Sequence, residues 1–261
     1  MSPAEMDALV EQVGDEILER LGLPAEELPE LAPASAWPRP EGGYAAALEL
    51  VCASLSTVAS EVAESCGQAA RAGIPVVWTP VSLVAPAVAA VSATPLRVGA
   101  LIDYPNGGAS TAARLVDAEI ALRLGAGMLQ WTLGAGRARQ LEPDVLRTEV
   151  SAAAALCADA GAALAVTLEA SALSDQELET AATAALAGGA DALCSSAGAA
   201  GHGFATTRAI AILRSVAGDR AVVVAGGRIA GFSHAAALVA AGADRIASAD
   251  PWAILAEAAA G

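Results

Sequence analysis

Eight short apolar runs, separated by longer alanine-rich stretches, follow one another from residue 44 to the end of the chain, and this alternation constrains the fold more than any other feature. The runs lie at 48–53, 75–79, 97–102, 128–132, 163–168, 192–195, 221–224 and 245–247, each ending on polar or glycine-containing positions. Apolar strands that alternate with helical stretches specify parallel pairing through crossover helices. Eight such units in order close a barrel more naturally than an open sheet, so the expected fold is α/β, a (β/α)8 TIM-type barrel. A chain of 261 residues, 55% of them hydrophobic, suffices for one large closed core and is too short for two. Only 3% of residues are aromatic, so the core must be built by close approach of small and aliphatic side chains.

The barrel is expected over residues 44–261, with an N-terminal amphipathic helix and Pro-rich linker over 1–43. Ser2-Pro3-Ala4-Glu5 reads as a capping box with proline at the first helical position. Met6, Leu9, Val10, Val13, Ile17 and Leu21 then recur at helical spacing, which predicts an acidic amphipathic helix over 3–22. Pro24, Pro29, Pro33, Pro38, Pro40 and the Gly42-Gly43 pair follow, a composition that ends helices and gives an extended linker, so the helix is expected to be hinged to the body.

Charge and cysteine usage remove several function classes. Fourteen basic and 29 acidic residues leave a net charge of −15, which repels phosphate backbones and anionic lipid, so neither nucleic acid nor a membrane surface is an expected partner. Residues 72–96 carry no charge, but Pro75, Pro80, Pro86 and Pro95 cut the stretch into pieces too short to span a bilayer. Cys52, Cys66, Cys157 and Cys194 are widely spaced, without a C-x-x-C pair, and no signal peptide precedes them, which points to reduced thiols in a cytoplasm. With two histidines in all, a metal site is not expected, and no cofactor is implied.

In a barrel of this kind the chemistry sits at the carboxyl ends of the strands. Those ends spell Trp78-Thr79-Pro80, Asp103-Tyr104-Pro105-Asn106-Gly107, Leu129-Gln130-Trp131, Thr167-Leu168-Glu169, Cys194-Ser195-Ser196-Ala197-Gly198, Val224-Ala225-Gly226-Gly227 and Ile246-Ala247-Ser248. In order and spacing these resemble the deoxyribose-phosphate aldolase family over roughly residues 48 to 250. The resemblance implies a Schiff-base lysine at the head of the sixth-strand run, where this chain has Cys194 followed by Ser195. It implies a second lysine ahead of the seventh-strand glycine pair, where Val223 stands, and a proton-handling aspartate on the fourth strand, where Gln130 stands. It implies a phosphate cradle on Gly226, Gly227 and the turn after the eighth strand, here Ala247-Ser248-Ala249-Asp250, and Asp250 would set a negative charge where a dianion belongs.

All 14 basic residues are arginine, whose guanidinium stays protonated and poorly nucleophilic, so no side chain can form a carbinolamine. The remaining candidates carry two readings each. Asp103 and Glu169, expected to face one cavity, suit general acid and base roles, or else Glu169 bonds backbone groups and Asp103 caps the turn before Pro105. Cys194 with His202 suits a thiolate dyad, or else Cys194 is a small apolar filler. His234 sits at a helix start as a cap or surface residue.

The expectation is therefore an aldolase-like protein, inactive as a Schiff-base aldolase, with a vestigial pocket at Gln130, Cys194, Ser195, Val223, Gly226, Gly227 and Ser248. It would serve as a structural or regulatory partner in a homo- or hetero-oligomer with an aldolase-family subunit. The helix over 3–22 resembles peptides that carry enzymes into bacterial microcompartments; the alternative is a helix packed across the barrel or in an oligomer interface. The competing function is a lysine-independent lyase or isomerase acting on a small polar molecule, which a cavity plugged by Met128, Trp131 and Val223 would exclude.

Overall fold

The computed structural model describes residues 30–32, 37, 40–140, 143–198 and 204–260. The predicted helix over 3–22 and His202 lie outside these residues. Strands β1 (Leu48–Val51), β2 (Val76–Pro80), β3 (Arg97–Ile102), β4 (Met128–Thr132), β5 (Ala163–Thr167), β6 (Ala192–Cys194), β7 (Val222–Ala225) and β8 (Arg245–Ser248) form a closed parallel barrel in sequence order. Closure is by β1 and β8, with Glu49 opposite Ala247 and Leu50 opposite Ser248. Every predicted run is a strand, and the bounds differ by no more than two residues at either end.

The crossovers are α1 (Ala59–Ala72), α2 (Val84–Val91), α3 (Thr111–Arg123), α4 (Ala135–Arg139), α5 (Pro143–Ala160), α6 (Asp175–Ala187), α7 (Thr207–Ala217) and α8 (Phe232–Ala240), and α9 (Pro251–Ala260) follows β8. Several starts are written locally in the sequence. Ser174 and Glu177 form a reciprocal capping box at α6, and Ser110 and Thr206 accept backbone hydrogen bonds at the starts of α3 and α7. Among the described residues no helix is long and apolar enough to cross a membrane.

Strand residues alternate between two cores, as a period of two requires. Outward side chains such as Leu129, Val166, Leu193 and Val223 pack under the helices, while Val76, Trp78, Leu101, Met128, Ala165, Cys194 and Val224 fill the barrel. Trp78 is the largest interior group, and its neighbour makes room for it: a Cβ on Gly99 would stand 2.2 Å from Trp78 Cε3. The Trp78 indole Nε1–H donates to Glu49 Oε2 at 2.7 Å, and Arg245 Nη1 donates to Glu49 Oε1 at 3.1 Å. The one carboxylate placed among these apolar groups is thus paired and hydrogen-bonded, the condition under which a buried charge is tolerated.

The linker expectation needs correction where the chain is described. Trp37 is only 2% exposed and stacks on Phe232 at 5.3 Å, with Tyr44 edge-on to both rings. Ala32 N–H donates to the Ser233 carbonyl, and Glu30 pairs with Thr207. Burying a tryptophan outweighs the extended tendency of the flanking prolines, so this part of the linker is docked on the barrel rather than hinged away from it.

Candidate functional site

A cavity of about 560 Å³ opens at the carboxyl ends of the strands, walled by β6, β7, β8 and the loops that leave them. Cys194, Gln130, Gly226, Gly227 and Ser248 line it, together with Tyr104, Ser196, Phe204, Arg228 and Asp250. Of the three residues whose plugging of the cavity would exclude the competing function, only Met128 points inward; Trp131 and Val223 pack in the outer layer. On β7 it is Val224 that faces the barrel, so the inward position lies one residue beyond Val223 and remains apolar.

Cys194 closes β6 at the cavity floor, 2% exposed. Burial, reinforced by the negative charge of Glu49, pushes its thiol up to about 12, so it is a neutral thiol at physiological pH. Its Sγ donates to the Ser196 carbonyl at 3.5 Å. Across from it Gly226 is obligatory, since a Cβ there would meet Ser196 O at 2.5 Å and Cys194 Sγ at 2.6 Å. The described surroundings of Cys194 favour the neutral thiol, and His202, the other half of the dyad reading, lies outside the described residues.

The two candidate carboxylates are not brought together. Glu169 adopts a left-handed backbone with φ 46° and turns its side chain onto the β6 loop. Its Oε1 accepts from Ser196 Oγ at 2.6 Å and Ser171 Oγ at 3.0 Å, and its Oε2 accepts from Ala197 N–H at 3.0 Å. Asp103, with φ 55°, closes its own turn: its carbonyl accepts from Gly107 N–H at 2.8 Å and its Oδ2 from Ala109 N–H at 2.8 Å, with Arg114 Nε 3.7 Å away. Neither lines the cavity, and the expectation that both face it is corrected. Both are clamps of strand-end loops, with their oxygens committed to local donors.

The other predicted positions are also held by neutral contacts. Gln130 Nε2 donates to Thr167 Oγ1 at 2.6 Å. Ser195 does not reach the cavity; its Oγ donates to Gly226 O at 3.0 Å and accepts from Gly226 N–H at 3.1 Å, tying β6 to β7. Ser248 Oγ accepts from Asp250 N–H at 3.1 Å, and Asp250 Oδ1 in turn accepts from Ala253 N–H at 3.2 Å, capping α9. The start of this helix is thus met by the chain's own carboxylate on the cavity wall. His234 is fully buried rather than at the surface; its Nδ1 accepts from Ala230 N–H at 3.0 Å and its Nε2 lies 2.9 Å from Ala205 O, an arrangement that fits the neutral Nε2–H tautomer. Burial holds its pKa below the ordinary value.

Three wall residues escaped sequence reading. Tyr104 Oη donates to the Ala197 carbonyl at 2.8 Å and bridges the β3 and β6 loops. Burial first, then Cys194 and Glu169, raise its phenol above the usual range. Arg228 sets its guanidinium 4.2 Å from the Phe204 ring centroid. Its place directly after Gly226-Gly227 was a usable signal; nothing local marked Phe204. The wall so assembled can orient a small polar molecule through a guanidinium, an amide, hydroxyls and one carboxylate, and holds no amine nucleophile. Among the described residues no group of three or more His, Cys, Asp and Glu could hold a metal ion.

No family model matches the chain. Individual relatives do. A deoxyribose-phosphate aldolase of Mycobacterium ulcerans is 32% identical over 192 residues, covering 72% of this chain and 83% of the relative. Deoxyribose-phosphate aldolase 1 of Cutibacterium acnes is 33% identical over 150 residues, covering 58% and 68%. The barrel is similar to that of a deoxyribose phosphate aldolase from Aeropyrum pernix, with a TM-score of 0.77 and 23% identity over 83% of this chain and 91% of that one. With 32% identity over 192 residues that span 83% of the relative, and a barrel that superposes on that of a family member, the chain belongs to the deoxyribose-phosphate aldolase family.

Proposed function

We propose that this family member no longer performs Schiff-base aldol chemistry and serves as a structural or regulatory partner of a lysine-bearing aldolase subunit. One observation carries the reading: the strand-end position resembling the family's nucleophile is Cys194, a buried thiol pushed up to about 12, in a chain with no lysine. Gln130, Val224, Asp103 and Glu169 supply no replacement, the first two being neutral and the last two clamped away from the cavity.

The test mixes the purified chain with its lysine-bearing homologue and follows retro-aldol cleavage of 2-deoxyribose 5-phosphate. A changed rate or a co-eluting mixed oligomer at micromolar concentration supports the partner role; two independent species with unchanged turnover overturn it. Residues 3–22 are proposed to recruit the protein to its partner or to a microcompartment shell within the cytoplasm. Because Trp37 packs on the barrel, deletion of residues 1–29 tests this without disturbing the fold, and retained recruitment would refute it.

The second reading, a lysine-independent lyase or isomerase, is favoured by the cavity remaining open and presenting Arg228, Gln130 and Asp250 to a small polar molecule. It requires an acid or base where Gln130 is a neutral amide and the Asp250 carboxylate caps α9, and the first reading is preferred for that reason.

A further inference from the structure

His234 is the third residue of α8, fully buried, and both of its ring nitrogens bond segments that wall the cavity. Nδ1 accepts from Ala230 N–H at 3.0 Å, on the loop that leaves β7, and Nε2 lies 2.9 Å from the Ala205 carbonyl, on the segment that enters α7. Phe204, next to Ala205, sets its ring edge-on to the imidazole with centroids 5.8 Å apart, and the Arg228 guanidinium lies 4.2 Å from the same ring's centroid. Phe204 and Arg228 form an isolated parallel bridge, and Ala205 N–H donates to the Arg228 carbonyl at 3.1 Å. Phe204, Arg228 and Ala230 line the cavity, so the imidazole stands behind the seam between two segments of its wall.

We propose that His234 is an acid-operated latch on this wall: the neutral ring holds the β7 loop against the segment entering α7, and protonation frees Ala230 and lets Arg228 part from Phe204. The chemistry follows from the atoms. An imidazolium donates from both nitrogens, so Nε2–H keeps the Ala205 carbonyl while the new Nδ1–H meets the Ala230 N–H, donor against donor. Two buried donors left facing each other cost more than a bond is worth, and the loop that carries one of them is the element free to move. Burial opposes the cation first, and the N-terminal end of α8 and Arg228 beyond the Phe204 ring oppose it too; the Ala205 carbonyl and Glu30, which pairs with Thr207 at the start of α7, favour it. Glu257 of α9 is held on the Phe232 amide at 2.7 Å, and Arg208 of α7 on Asp175. The folded ring titrates below the ordinary 6.5, so the stability it contributes as a neutral group is whole above that value and falls away as the pH drops beneath it. The latch belongs to the wall and holds whether or not the cavity is catalytic.

Nuclear magnetic resonance of the full chain between about pH 8 and pH 5, where histidine titrates, tests it. Two histidines and two phenylalanines in the sequence make the spectra simple: imidazole nitrogens report His234, and fluorophenylalanine labelling reports Phe204 against Phe232, each assigned by replacing one residue. On acidification the Ala205 and Ala230 amides should lose protection from hydrogen exchange by up to about tenfold per pH unit, as the open wall takes up the proton. The Phe204 fluorine should shift with the same midpoint as the His234 ring, while Phe232, stacked on Trp37, and the Leu168 amide, bonded to the Cys194 carbonyl, stay as they were. His234→Gln cannot titrate and should make the protection of both amides independent of pH; if that variant does not fold, the wild-type profile decides alone. Constant wild-type protection of Ala205 and Ala230 overturns the proposal. So does their loss only together with Leu168 in global unfolding, or a transition that persists unchanged in His234→Gln.

Discussion

The interior of this barrel has two regions with different rules. Around Trp78 the groups are fitted to one another, with the indole on Glu49, Glu49 on Arg245, and Gly99 shaped to the ring. At the mouth, Cys194, Gln130, Ser248 and Asp250 surround empty volume, with Cys194 bonded to the Ser196 carbonyl, Gln130 to Thr167, Ser248 to Asp250 N–H, and the Asp250 carboxylate to Ala253 N–H. The first region is a packing solution in which each residue depends on the others. The second is an open cavity, with Cys194 and Gln130 at positions where the resemblance to the family implies a lysine and an aspartate.

Perturbations should rank accordingly. The largest effect is expected from Arg245→Met, which leaves Glu49 among apolar side chains without its cation; discounted for Arg245 being 33% exposed, the loss is about 3 kcal/mol by urea denaturation. Gly99→Ala follows at about 1–3 kcal/mol, because the added methyl collides with the Trp78 ring, and combining it with Trp78→Leu should recover most of that loss. At the mouth, Gln130→Leu should cost only about 1 kcal/mol, the value of one hydrogen bond to Thr167. A mouth substitution that destabilised more than Gly99→Ala would break the distinction.

Thiol reactivity sharpens it further. With iodoacetamide at pH 7.5, partly exposed Cys52 should be alkylated first, and Cys66, Cys157 and Cys194 should stay protected until unfolding. Burial raises the three buried thiols to about 11, about 12 and about 12, so each has its thiolate favoured only above those values and is a neutral thiol throughout the neutral range. Modification of native Cys194 as fast as Cys52 would reinstate it as a nucleophile. Peptide mapping distinguishes the outcomes.

Sequence carried the architecture because periodicity reports burial on both faces of a strand, and eight such runs in order leave few ways to close. It carried Cys194, Gln130 and the glycine pair to the cavity wall for the same reason. It misplaced Val223, since a shift of one residue sends a strand side chain to the opposite face. It joined Asp103 and Glu169 because both end strands, whereas their direction is set by left-handed backbone turns and loop donors that no spacing encodes. Trp37 was hidden by its prolines and Arg114 by its charge; in each case a tertiary partner, Phe232 or Glu149, decided burial.

The most direct test of the central claim is the retro-aldol assay on 2-deoxyribose 5-phosphate with the pure chain alone, prepared from a host lacking its own aldolase. No turnover above buffer is predicted, with or without borohydride, and no covalent adduct in the intact mass. Turnover that follows the protein through every purification step and is lost in Cys194→Ala would contradict the account.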